Sequence, residues 1–360
     1  MKRRDVFKGF AAALALSMLP RTSIGSAGLT REQTSSSALI HPPVLRAGDT
    51  VGLITPATYV ADPDQLALAE KTLKYFKLRA KFGKNVGKRT GYFSNPVGGR
   101  LDDFHDMFRD KDVRAVFCIR GGYGSGQLLE RIDYDLVRRN PKIFLGYSDI
   151  TAMHLAINKL AHLVTFHGPV VVSRFSNYTQ NSFRKAVFEL QPIGELTNPK
   201  ESDELRSAHT LRAIRLGIAS GQLIGGNLTL VTMLMGTPYE IETRGRLLFL
   251  EDVDEEPYSI DRMLTQLRLA GKFKEVAGVI FGECKDCRAR DYKPSLSNPY
   301  SLGEVLDNAF GDLKVPVMSG LTIGHTDDQL TLPLGVQATL DAGNGTLTIK
   351  ESGVTTAATS

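Results

Sequence analysis

The sequence predicts an α/β fold, with an N-terminal domain on a parallel sheet and a smaller C-terminal mixed α/β domain rich in β-strands. Three observations predict it. Over residues 42–192 short apolar runs alternate with segments whose apolar side chains recur at helical spacing, the pattern of successive βαβ units. Beyond residue 210 the apolar runs are shorter and mostly strand-like. The chain is 360 residues long, 42% hydrophobic and 23% charged, which suits two cored domains and excludes wholesale disorder or a fibrous repeat.

In the first domain, Val51 to Pro56 is an apolar run closed by proline and predicts a buried strand. Residues 63–77 and 100–109 carry amphipathic helical spacing. Val113 to Ile119 is a second strand leading into a glycine-rich segment, with a short helix at 127–132. Residues 142–146 form a third strand, 150–160 a helix, and 163–166 open a fourth strand. This order is that of a flavodoxin- or Rossmann-like sheet. Pro, Gly, Asn, Ser and mixed charges over 193–210 predict a linker. The second domain, 211–352, shows strands at 211–216, 221–224, 246–250, 276–281 and 337–349, with one clear helix at 259–270. A small polar tail from Gly353 is expected to fray.

The opening residues predict an address. Lys2, Arg3, Arg4 and Lys8 precede an apolar run from Phe10 to Leu19, and small residues follow at Gly25-Ser26-Ala27. A run this short is a signal-peptide core rather than a membrane span, which needs about 20 residues. The paired arginines resemble a twin-arginine signal. Cleavage after Ala27 is expected, and residues 28–41 read as a flexible lead-in. The chain carries a formal net charge of +5. Five basic residues and one acid fall in 1–27, so the remainder carries only +1. The basic excess belongs to the address and gives no argument for nucleic acid, and no nucleic-acid motif is present.

Gly146-Tyr147-Ser148-Asp149 is the sharpest motif. Ser148 follows a predicted strand and precedes a helix, which suits an exposed nucleophile beside free helix N–H groups, or equally a helix N-cap. The segment Arg120-Gly121-Gly122-Tyr123-Gly124 also follows a strand. It matches neither a dinucleotide loop nor a P-loop, which leaves a tight turn or a backbone donor to an oxyanion. Among seven histidines, His105 and His154 fall in helices, whereas His167 and His325 lie in loops at strand ends and suit a base. Of the acids after the strand 246–250, Glu251 abuts apolar residues; Asp252, Asp254, Glu255 and Glu256 read as a solvated loop. Cys284 and Cys287 are either a local disulfide or a thiol pair. A second C-x-x-C is absent, so no metal site is expected.

Taken together, these motifs resemble the LD-carboxypeptidase family of serine peptidases, which includes murein tetrapeptide carboxypeptidases and microcin C self-immunity peptidases. The resemblance covers roughly residues 42–350. It rests on Leu45-Arg46-Ala47-Gly48-Asp49 with Pro56, Arg120-Gly121-Gly122-Tyr123-Gly124, Gly146-Tyr147-Ser148-Asp149, His167-Gly168-Pro169, Gly225-Gly226-Asn227-Leu228, Leu250-Glu251-Asp252, and Gly324-His325 before Leu332-Pro333-Leu334-Gly335. One departure is Gln329, where the family often has Asn.

The resemblance implies a Ser148 nucleophile, a His325 base oriented by Glu251, and an oxyanion hole from the N–H groups of Gly122 and Asp149. It implies no cofactor. The expected substrate is a murein tetrapeptide, trimmed between its diamino acid and terminal D-Ala. Arg120, His167 and Asn227 are the candidate substrate contacts, with Arg120 a partner for a terminal carboxylate and His167 in a supporting role, in packing or at the substrate. A homodimer is implied by the resemblance alone. The export signal adds the twin-arginine machinery as a partner and the periplasm as the location, with no stable membrane anchor.

Overall fold

The structure is a computed structural model and describes residues 38–60, 62–200 and 209–356. The expected export signal and its cleavage site lie outside the described residues, as does most of the lead-in. No helix among the described residues is long and apolar enough to cross a membrane.

The first sheet contains β1 (Thr50–Ile54), β2 (Arg79–Phe82), β3 (Val113–Cys118), β4 (Ile143–Gly146) and β5 (Thr165–His167). Around them lie α1 (Pro63–Tyr75), α2 (Val97–Arg109), α3 (Tyr134–Arg139), α4 (Thr151–Ala161) and α5 (Asn177–Phe188). The second sheet contains β6 (Gly194–Leu196), β7 (Arg212–Arg215), β8 (Ile218–Asn227), β9 (Leu247–Glu251), β10 (Gly278–Gly282) and β11 (Val317–Leu321). Helices α6 (Leu228–Met233), α7 (Pro257–Leu269) and α8 (Leu302–Phe310) accompany it. Strand β12 (Leu332–Leu334) and the hairpin β13 (Gln337–Asp341) and β14 (Thr346–Ile349) close the chain.

The first sheet runs β12-β5-β4-β3-β1-β2. Its first five strands are parallel in the flavodoxin-like order 2-1-3-4-5, and β12 pairs antiparallel with β5. The second sheet runs β6-β14-β13-β8-β9-β10-β11-β7, with β8 to β11 parallel at its centre. The parallel strands read as unbroken apolar runs because both faces are covered: β4 and β9 are buried at every residue. A single hydrophobic core runs through both sheets.

Several elements differ from the sequence expectation. Strand β2 is largely exposed at a sheet edge and lacks the apolar signature, so it went unpredicted. The helix expected at 127–132 is a 3-10 turn over Ser125–Arg131. Helices α3, α5, α6 and α8 were not anticipated, although Ser301 with Glu304 forms a capping box at α8. Part of the expected linker is strand β6, and Asn198 in the same stretch donates to the Gly320 carbonyl at 2.8 Å. The C-terminal tail is not frayed at its start: Val44 N–H donates to the Thr355 carbonyl at 2.9 Å, and Thr355 N–H to that of Pro42 at 2.9 Å.

Buried Arg100 on α2 holds the loops at the carboxyl end of the first sheet. Its guanidinium donates to the carbonyls of Pro56 at 2.9 Å, Gly124 at 2.8 Å and Asn95 at 3.0 Å, and to Gln127 Oε1 at 2.7 Å. One planar fork thereby joins the loop after β1 to the glycine segment after β3.

Candidate active site

Ser148 follows β4 at the carboxyl edge of the parallel sheet, where open α/β sheets place ligands. Its backbone is left-handed, φ +63°, a conformation that costs a non-glycine residue about 1–3 kcal/mol unless its surroundings enforce it. Gly146 relieves crowding at the turn, because a Cβ there would lie 3.0 Å from Ile150 side-chain atoms. The N-cap alternative does not hold. Neither the 3-10 turn Ser148–Ile150 nor α4 has a side-chain cap bond. The Asp149 carboxylate turns away and accepts from the N–H groups of Gly124 at 3.2 Å and Ser125 at 2.8 Å.

The Ser148 hydroxyl faces His325 instead, with Oγ 3.0 Å from Nε2. On the other side of the ring, Nδ1 stands 2.8 Å from Glu251 Oε2. A carboxylate at Nδ1 holds the proton there and leaves the Nε2 lone pair toward the serine. Glu251 is the last residue of the buried strand β9, fully buried itself, and pairs in register with Asn227 of β8. His325 comes from the loop between β11 and β12. The Tyr147 ring packs edge-on against the imidazole, with centroids 4.9 Å apart. The series Ser148–His325–Glu251 is thus drawn from both sheets, and such a series can pass a proton from hydroxyl to imidazole.

The glycine segment sits directly on this turn. A Cβ on Gly121 would meet the Tyr147 carbonyl at 3.2 Å and Ser148 Cβ at 3.3 Å. Gly122 has φ +104°, and a Cβ there would strike Thr58 Oγ1. Arg120, Gly121, Gly122, Tyr147, Ser148 and His325 together line a cavity of about 440 Å³.

Neither His167 nor Asn227 lines this cavity, so for His167 the packing alternative holds. His167 is fully buried, its ring against Phe249 with centroids 5.1 Å apart, and burial first, then the charges of His154 and His325, hold its pKa well below the ordinary histidine value. Asn227 is buried and caps α6, accepting from Leu230 N–H at 3.2 Å. Its amide donates to Asp252 Oδ1 at 3.0 Å, and its backbone N–H to Thr151 Oγ1 at 2.9 Å. Thr151–Asn227–Asp252 therefore braces the helix behind Ser148 against the residue after Glu251. Of the three, only Arg120 is exposed and lines the cavity.

The acidic run after β9 is not uniformly solvated. Asp252 is buried and also accepts from the Thr229 N–H and hydroxyl, both at 2.9 Å. Burial, reinforced by the Glu251 charge, pushes its pKa up to about 6. Glu256 is buried as well and accepts from Ser295 N–H at 3.0 Å. The sequence signal for Asp252 was its adjacency to Glu251 at the end of a buried strand. Cys284 and Cys287 are joined in a disulfide.

The sequence profile of the LD-carboxypeptidase N-terminal domain matches residues 51–168, and that of the C-terminal domain matches residues 220–340. The chain belongs to the LD-carboxypeptidase family. Its enzyme class is that of a serine-type carboxypeptidase. The chain is 40% identical over 313 residues to the probable murein peptide carboxypeptidase of Bacillus subtilis (strain 168), covering 87% of this chain and 95% of that protein. Similarity to the murein tetrapeptide carboxypeptidase of Pseudomonas aeruginosa is 30% identity over 309 residues, covering 81% and 92% of the two chains. The solved structure of the microcin C7 self-immunity protein MccF bound to glutamyl sulfamoyl guanosine superposes with a TM-score of 0.79. It shares 27% identity and covers 88% of this chain and 99% of its own. The muramoyltetrapeptide carboxypeptidase of Oxalobacter formigenes gives a TM-score of 0.72 at 29% identity, over 84% and 99% of the two chains.

Proposed function

We propose that this LD-carboxypeptidase removes the terminal D-Ala of murein tetrapeptides by hydrolysing its bond to an L-centre diamino acid. The observation that carries the reading is the relay from strained Ser148 through His325 to buried Glu251, set in a cavity walled by Gly121 and Gly122. Ser148 Oγ attacks the scissile carbonyl as its proton passes to His325 Nε2. Glu251 orients the ring and stabilises the imidazolium. The N–H groups of Gly122 and Asp149 receive the oxyanion. His325 then protonates the departing amine of D-Ala, and a water, deprotonated by the same imidazole, releases the tripeptide from Ser148. Arg120, which lines the same cavity, takes the terminal carboxylate as a two-pronged partner in this reading.

The test is D-Ala release from purified murein tetrapeptide by wild type and Ser148→Ala. Release by wild type, lost in the variant, supports the assignment; equal release by both refutes it. The likeness to the microcin C7 self-immunity protein, 32% identical over 340 residues, favours a second reading, a peptidase acting on peptide-nucleotide antibiotics. An aminoacyl sulfamoyl adenosine in the same assay separates the two by their kcat/KM ratio. A muropeptide-binding module without turnover is the outcome if tetrapeptide binds and no D-Ala appears. The arginine-bearing opening segment supports export and a periplasmic site of action; a mature chain starting at Gly28 by mass spectrometry is the expected result.

A further inference from the structure

A second cavity adjoins the one at Ser148. It holds about 530 Å³ and lies between α1 and the segment after β5. The two share a wall, since Val172 and Ser173 line both. They also share a helix. Gln65 of α1 faces the first cavity, and Leu68, Thr72 and Tyr75 face the second. These positions follow one another at spacings of three and four, a single stripe along the helix. The second cavity therefore lies beside the one at the serine, farther along the same face of α1.

The walls of the second cavity have a definite chemistry. Leu68 and Tyr75 expose apolar surface, Tyr75 at 59% of its area. The Tyr75 hydroxyl donates to Gln180 Oε1 at 2.7 Å, which holds the ring in place. Two cations, Lys71 and Arg174, line the same cavity. Arg174 pairs with Asp327 at 3.1 Å, but both side chains are more than 60% exposed. An ion pair this exposed contributes at most about 1 kcal/mol, so another carboxylate can displace it.

We propose that this second cavity is the subsite for the acyl side of the substrate, where carboxylates of an acidic peptide meet Lys71 and Arg174 and its apolar parts lie on Tyr75. The inference rests on the reaction proposed above. An exopeptidase that releases one residue keeps the rest of its substrate on the acyl side, and this cavity is the one whose lining shares Val172 and Ser173 with the catalytic cavity. With Lys71 and Arg174 both cationic, the cavity complements a substrate whose acyl side carries free carboxylates.

The experiment compares kcat/KM for murein tetrapeptide and for an N-acylated diamino acid–D-Ala dipeptide, which lacks the upstream carboxylates. In Lys71→Glu/Arg174→Glu the tetrapeptide-to-dipeptide ratio should fall at least tenfold, through KM. Tyr75→Ala should lower it in the same direction, and added salt should lower it for wild type. A ratio unchanged in all three, with D-Ala still released, overturns the subsite and leaves the reaction standing. Absence of D-Ala release from both substrates by wild type overturns the reaction and the subsite together.

Discussion

Gly324 and Glu251 are packed so closely that no side chain fits between them. A Cβ built on Gly324 would stand 2.0 Å from Glu251 Oε2, the oxygen that pairs with His325. Gly324 also has φ +92°, which disfavours any other residue. The glycine before the histidine is thus what lets the carboxylate reach the ring. Gly324→Ala should lower kcat more than a hundredfold and reduce stability by about 1–3 kcal/mol through backbone strain. Retained kcat, measured on D-Ala release, would show that the loop shifts without disturbing the pair.

Ser148 should reveal a conflict between stability and catalysis. Its left-handed backbone is strained, and the strain disappears with glycine. Ser148→Gly should abolish turnover yet raise the melting temperature, whereas Ser148→Ala should abolish turnover without that gain. Glu251→Gln should leave folding intact and lower kcat about 10⁴-fold by favouring the wrong imidazole tautomer. Equal melting temperatures for the Gly and Ala variants would remove the strain argument.

Arg100 is expected to matter for folding more than for substrate. Its removal leaves the acceptors of Pro56, Asn95, Gly124 and Gln127 without their donor inside the protein. Arg100→Leu should cost about 3 kcal/mol or more, judged from buried networks that lose one partner. Urea unfolding measures this, and a loss below about 1 kcal/mol would contradict the role of the fork as the tie between the two loops.

Acid sensitivity follows from two buried histidines. His154 Nε2–H donates to the Gly146 carbonyl at 2.9 Å, and burial lowers its pKa to about 4. His167 shifts in the same direction. The unfolded chain binds these protons near pH 6.5 and the native state does not, so their stability is complete above that pH and is lost as pH falls toward 4. For His154 the loss amounts to about 3 kcal/mol when complete. Asp252 opposes it, because its native carboxyl takes up a proton near pH 6, before the unfolded one. Burial lowers His105 and His162 in the same direction and raises Asp149 and Asp103 as it does Asp252, so four histidines stand against three carboxyls and the melting temperature should drop from pH 7 to 5. His154→Gln should make that drop shallower; coincident slopes would count against burial of neutral His154 as its cause.

Much of the first sheet was legible because its central strands are buried on both faces, so runs such as Val113–Cys118 and Ile143–Gly146 are apolar throughout. The edge strand β2 had no such signal, and β12 is only three residues long, with its place in the first sheet set by a long-range return of the chain. Ser148, Glu251 and His325 were legible individually from where each falls at a strand end, and as a set from the resemblance. Arg100 and Asp252 were not, because each looks in sequence like an ordinary charge on a solvated surface.

The sequence by itself determined the alternation of strands and helices, the turn that exposes Ser148 and the family to which the chain belongs. These are local matters, set by side-chain periodicity, glycine placement and motif spacing. Only the tertiary structure decided that Asn227 and His167 are buried, away from the cavity at Ser148, and that α1 and the segment after β5 enclose a second cavity beside it. Burial and hydrogen-bond partners are properties of residues far apart in the chain. Asn227 meets Thr151 across 76 positions, and His325 meets Ser148 across 177. Local sequence carries no record of such distances; they exist once both sheets share one core.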